Sequence, residues 1–256
     1  MTPADFYRAM ALPDECLLAK RVFKKLFYEN ANLTAADKRA LSSDVETITW
    51  QYTLKPSTVP IAAYEDDERE YLEIAVIECV LSQRRNANRI AEIVHRAIPY
   101  PLLLLFHHRS ADEAEAVALS VAHKRASRAQ RGAVVAEGLL RTEWFEGEPR
   151  SDIESAFLAS LSIFETGAQD FWALYSALFD RVMSYVASSL TGEFALRESK
   201  PPAERRKLLS DCRNLRREIG TVRAAIREET NFGKQIEMNS KLKQLTVELE
   251  EMMRDL

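Results

Sequence analysis

Glycine is scarce in this chain: seven in 256 residues, none of them clustered. That excludes the glycine-rich loops that cradle the phosphates of nucleotides. Cysteine is scarcer still. Cys16, Cys79 and Cys212 are an odd number, far apart and set among apolar residues. They form neither a disulfide framework nor a zinc spacing, and read as small buried hydrophobes in a reducing compartment. Neither sign of charge dominates, with 35 Lys and Arg against 39 Asp and Glu, so no wholesale attraction to nucleic acid or membrane follows. The longest unbroken apolar stretch, around Leu102–Phe106, falls far short of the ~20 residues a membrane span needs. The opening MTPADFYRAM is a capped helix rather than a signal peptide, so the expected location is cytoplasmic.

What the chain does have is a strong C-terminal pattern. Leu208, Cys212, Leu215, Ile219, Val222 and Ile226 alternate steps of four and three, as do Met238, Leu242, Leu245, Leu249, Met252 and Leu256. Each run predicts a helix with one narrow apolar seam. Asn231-Phe232-Gly233 is a turn-forming tripeptide that folds the second helix back on the first, giving an antiparallel coiled-coil hairpin. Its first arm is lopsided: Glu204–Arg227 holds eight basic and three acidic residues, with Arg216 and Arg223 flanking the seam. Such a surface suits partner docking or self-association.

Upstream, Thr2-Pro3 opens a short helix, Pro13 a second lined by Leu17, Leu18, Val22, Phe23, Leu26 and Phe27, and Thr34 with Asp37 a third. The period then falls to two. Ile48, Trp50, Tyr52 and Leu54 alternate with polar residues, which predicts a strand. Further strands are expected over Tyr71–Leu81, Pro101–His107, Ala116–His123 and Ala133–Glu143, with a helix from about Asn88 to Ile98. A strand–helix–strand unit over 71–107 implies a parallel crossover. The predicted fold class is therefore α+β: a mixed sheet of about five strands with N-terminal helices (1–148), an all-α connector (149–199) and the hairpin (200–256). In the connector, Ser151 and Glu154 cap one helix. The next, about Gln169–Leu190, is apolar nearly all round, and Trp172 and Tyr175 on it are candidate docking residues.

Candidate chemistry is thin. A metal-dependent nuclease needs paired carboxylates and a lysine on neighbouring strands, and Glu73, Glu78 and Lys124 are the residues available for it. No acid-x-Lys triplet joins them. His95, His107, His108 and His123 lack a metal-site spacing, so no metal and no cofactor is expected. Lys124, Arg125, Arg128 and Arg131 form a basic stretch free of acids, a candidate contact for nucleic-acid phosphates.

Lys24-Lys25-Leu26-Phe27-Tyr28-Glu29-Asn30, Thr47-Ile48-Thr49-Trp50, Tyr64 through Tyr71, His95-Arg96-Ala97-Ile98-Pro99-Tyr100-Pro101 and Ala122-His123-Lys124-Arg125 together resemble the bacterial domain-of-unknown-function family 4391, over nearly the whole chain. The resemblance brings no catalytic residues with it. It implies a place beside DNA methyltransferases and helicase-like proteins of restriction and phage-defence gene clusters. The expected function is a non-enzymatic accessory or adaptor subunit docking a helicase- or methyltransferase-type partner. The alternatives are a divergent nuclease with a degenerate restriction-endonuclease-like core and a sequence-independent nucleic-acid binder.

Overall fold

The computed structural model describes residues 1–30, 32–109, 115–128, 133–147, 151–196 and 201–256. They fall into two units, Met1–Val186 and Ala187–Leu256. The first takes in the described part of the expected core and most of the connector. The expected breaks at Glu148-Pro149 and at Lys200 lie outside the described residues.

The first unit runs α1 (Pro3–Ala9), a 3-10 turn (Asp14–Cys16), β1 (Leu17–Arg21), α2 (Lys24–Asn30), α3 (Ala35–Ser43) and β2 (Val45–Leu54). A small hairpin follows, β3 (Tyr64–Glu65) and β4 (Glu70–Tyr71), then β5 (Ile74–Leu81), α4 (Ala87–Ala97), β6 (Leu102–His108), β7 (Ala116–Ala126), β8 (Val134–Arg141), β9 (Phe145–Glu146) and α5 (Asp152–Ala159). Helix α6 (Phe171–Thr191) crosses the boundary between the units.

Among the described residues the sheet has seven strands, in the order β1-β2-β5-β6-β7-β8, with β9 also on β7. The β5–β6 pair is parallel, bridged by α4, and every other pair is antiparallel. Strand β6 is buried along its whole length, as befits the strand whose two flanking pairs switch from parallel to antiparallel. Ala75, Ile77 and Cys79 of β5, with Leu102, Leu104 and Phe106 of β6, form one core with Phe27, Leu41, Ile90 and Val94. On the opposite face Phe145 packs against Phe6 of α1 and Phe157 of α5, and stacks on Tyr185 of α6.

The expected count of about five strands is corrected to seven, and the largest difference lies at Leu17–Arg21. The spacing of apolar residues there predicts a helix. The chain instead adds β1 to β2, because the open edge of β2 offers backbone hydrogen bonds that local propensity does not register. A bulge between Leu17 and Lys20 holds Ala19 at φ 49°, the left-handed region that disfavours residues with a Cβ. The caps follow expectation: Thr34 Oγ1 accepts from the Asp37 N–H at 3.2 Å, and Ser151 Oγ accepts from the Glu154 N–H at 3.2 Å.

The second unit is built on α7 (Pro202–Glu228) and α8 (Phe232–Arg254), which pack on each other and are joined by a Glu218–Lys241 ion pair at 2.7 Å. Every seam residue named above is buried or half-buried, while most of their neighbours are exposed. The turn sits at 229–231, earlier than expected, because Asn231 caps α8: its Oδ1 accepts from the Lys234 N–H at 3.1 Å. Among the described residues no helix is long and apolar enough to cross a membrane.

Candidate functional site

Strand β7 outruns β6 at Ala122–Lys124, so its backbone there needs other partners. Two tyrosines supply them. The Tyr175 hydroxyl accepts from the Ala122 N–H at 3.1 Å and bonds the carbonyls of Leu102 (2.8 Å) and Ala122 (2.9 Å). The Tyr71 hydroxyl accepts from the Lys124 N–H at 2.9 Å and meets His123 Nδ1 at 3.1 Å. Both rings belong to an aromatic cluster with Trp172 and His123. Trp172 is half-buried, stacks on Tyr64 and carries the Arg69 guanidinium 4.7 Å from its ring centroid. Tyr175 is fully buried, so its role is to close the sheet.

Lys124 is 2 % exposed. Its ammonium donates to the carbonyls of Ile98 (2.8 Å) and His95, the C-terminal end of α4, where the helix dipole favours a cation. Burial nevertheless pulls its pKa down to about 7. The neighbouring basic residues are also engaged. Arg125 pairs with Glu137, and Arg128 reaches Glu68 at 2.7 Å and holds that carboxyl below its usual range. Arg131 lies outside the described residues. This end of the sheet, with the acidic β3–β4 hairpin and Tyr100, lines a cleft of about 450 Å³. Glu68 of the acidic run therefore supplies a partner to Arg128 sixty residues on, a pairing invisible in local sequence.

The nuclease constellation is not assembled. Glu73 pairs with Lys55 at 3.3 Å. Glu78 lies opposite Leu105 and hence Leu119, five residues from Lys124. It also projects from the other face of the sheet, since its partners are Tyr7 and His107 while those of Lys124 are on α4. Glu78 belongs instead to a chain of side chains. Tyr7 donates to it at 2.7 Å and Gln51 at 2.9 Å, and His107 Nδ1 stands 3.3 Å away. The other His107 nitrogen bonds Glu115. Burial opposes charge on Glu78, yet the His107, Tyr7 and Gln51 hydrogen bonds hold its pKa below normal. Burial likewise opposes charge on His107, yet the two carboxylates raise its pKa.

The remaining histidines go to separate places. His95 is buried against Ser120 at 3.3 Å, His108 meets Arg84 at 3.1 Å, and His123 sits in the aromatic cluster. Among the described residues no three His, Cys, Asp or Glu side chains converge as metal ligands. In the second unit, Arg216 is exposed and donates to the Ser189 carbonyl at 2.8 Å. Arg223 is exposed, and its guanidinium makes no hydrogen bond or ion pair among the described residues.

Two features escape sequence reasoning. The Tyr7–Glu78–His107–Glu115 chain joins residues up to 108 positions apart in the sequence, and only strand register brings them together. The open β1 edge was masked by a helix-like spacing, although the preceding Pro13 and the shortness of Leu17–Arg21 are signals compatible with a strand. No curated protein and no solved structure matches the chain significantly. A family model described as Domain of unknown function (DUF4391) matches residues 10–249, nearly the full length, and the chain belongs to that family.

Proposed function

We propose that this protein is a non-enzymatic accessory subunit of a bacterial DNA restriction or phage-defence complex, docking a helicase- or methyltransferase-type partner through its helical regions. The observation that carries the docking role is the α7–α8 pair. Its seam residues are only half-buried over most of their length, and its first helix carries an excess of basic residues. In this reading the pair is an antiparallel coiled coil, an apolar stripe with a cationic border that suits an amphipathic acidic helix. Arg216, Arg223 and the half-exposed Trp172 are the side chains assigned to docking. Tyr175, fully buried, acts through the fold of the first unit. The class of partner rests on the family resemblance.

The non-enzymatic reading is supported by the separation of Glu73, Glu78 and Lys124. For the alternative of nucleic-acid binding, Arg125, Arg128 and Arg131 are the residues to test, and Glu137 and Glu68 would have to be displaced from Arg125 and Arg128.

Co-expression of the full chain with a helicase or methyltransferase encoded beside it, followed by size-exclusion chromatography, tests the proposal. Co-elution that is lost in Arg216→Glu/Arg223→Glu supports it. Separate elution from every such neighbour, with the wild-type chain folded, sinks it.

A further inference from the structure

Among the described residues strand β1 ends the sheet, with β2 as its one strand neighbour. The Val22 N–H donates to the Ile48 carbonyl at 2.8 Å, and antiparallel strands alternate inward and outward backbone groups. Arg21 therefore turns its N–H and C=O away from β2, toward open space. Around this edge the large apolar side chains are unusually uncovered. Leu17 is 54 % exposed, Leu18 48 %, Phe23 68 % and Leu26 41 %, a third of the exposed large hydrophobics among the described residues, within ten positions. An exposed apolar patch beside unpaired strand backbone is a template for an added strand.

We propose that the free edge of β1 is a strand-addition site for an extended, acidic segment of a partner protein. Charge selects the occupant. The Lys20 ammonium has no hydrogen bond or ion pair among the described residues, and Arg21 lies over the Phe23 ring, 5.8 Å from its centroid. Both cations stand on the five-residue edge itself, and Asp14 and Glu15 belong to the turn before it. A second copy of this chain would bring another Lys20 and Arg21 onto the same short ribbon, so like charges disfavour self-pairing. Lys20 and Arg21, consecutive on the strand, leave opposite faces of the sheet, so a strand alternating carboxylates with aliphatic residues sets its carboxylates beside one cation and its aliphatic side chains on the other face. This is β-addition, in which backbone bonds give affinity and side chains give selectivity. The bulge at Ala19 re-aims the edge and limits the register a visitor can adopt. The edge belongs to the first unit and the docking role above was given to helices of the second, so the inference stands or falls independently of that role.

Fluorescence anisotropy of the full chain with a labelled peptide alternating valine and glutamate tests it, beside a twin in which lysine replaces glutamate. The glutamate peptide is expected to bind, more weakly as salt rises, and the lysine twin not to bind. Arg21→Pro deletes the outward N–H and should weaken binding about tenfold beyond Arg21→Gln, which removes only the charge. Hydrogen exchange on the wild-type chain provides a readout that needs no variant: the peptide should slow exchange at residues 17–22. Binding of neither peptide, equal binding of both, or protection confined to other residues overturns the proposal. So does concentration-dependent dimerisation abolished by Arg21→Pro, which would assign the edge to a second copy.

Discussion

At the scale of single residues the first unit is governed by polar groups placed where backbone or charge would otherwise go unsatisfied. Tyr175 is the sharpest case, because one hydroxyl serves three backbone groups. Tyr175→Phe is expected to cost ~1–3 kcal/mol, the usual penalty for stranding buried polar groups, measured by urea denaturation. Lys124 makes a pH-dependent contribution. Its folded pKa, about 7, lies below the ordinary lysine value of 10.5, so the unfolded chain holds a proton that the folded chain has released between those values. Stability from this group rises with pH across that window and is lost as pH falls through the folded value. Lys124→Met should flatten that slope in denaturation midpoints compared between neutral and alkaline pH. The Glu78–His107 contact has opposite limits. The lowered Glu78 pKa gives stability that is present above the ordinary glutamate range and lost as pH falls through the folded value. The raised His107 pKa gives stability present below the ordinary histidine range and lost as pH rises through the folded one. His107→Gln should abolish the alkaline loss, and an unchanged profile would show that His107 is not the group responsible.

At the scale of elements the interest lies at β1. Its register on β2 is interrupted by a bulge, and Ala19 pays for it with a left-handed backbone. Ala19→Gly relieves that strain at an exposed position where no packing is lost. It should stabilise the protein by ~0.5–1 kcal/mol, read from the thermal midpoint. A loss of stability would mean that the alanine methyl is supported by contacts the strand makes elsewhere. Helices α3 and α5 are simpler, because their capping boxes follow directly from Thr34-x-x-Asp37 and Ser151-x-x-Glu154. Each local signal there agrees with the tertiary outcome. At β1 they conflict, and the sheet prevails, since hydrogen bonding a five-residue segment to an open strand edge outweighs a modest helix preference.

At the scale of the whole molecule the sheet face carrying Glu78 and the face carrying Lys124 are chemically separate. Magnesium-dependent cleavage of duplex DNA is therefore not expected of the wild-type chain. Lys124→Ala should lower the melting temperature by uncapping α4, and a nuclease assay run beside the melting curve distinguishes that from loss of catalysis. The division between what was legible in sequence and what was not follows the range of the interactions concerned. Residue periodicity and caps determined most helices, the five central strands, the parallel crossover around α4 and the two C-terminal helices with their apolar seams, because each rests on contacts between residues a few positions apart. The tertiary structure alone decided that Leu17–Arg21 is a strand and that Lys124 is buried as a helix cap. It also decided that Arg128 answers Glu68, and that Glu78 meets Tyr7 and His107 rather than a lysine. The last of these and the burial of Lys124 depend on strand register, since a shift of one residue would turn Glu78 or Lys124 to the opposite face of the sheet.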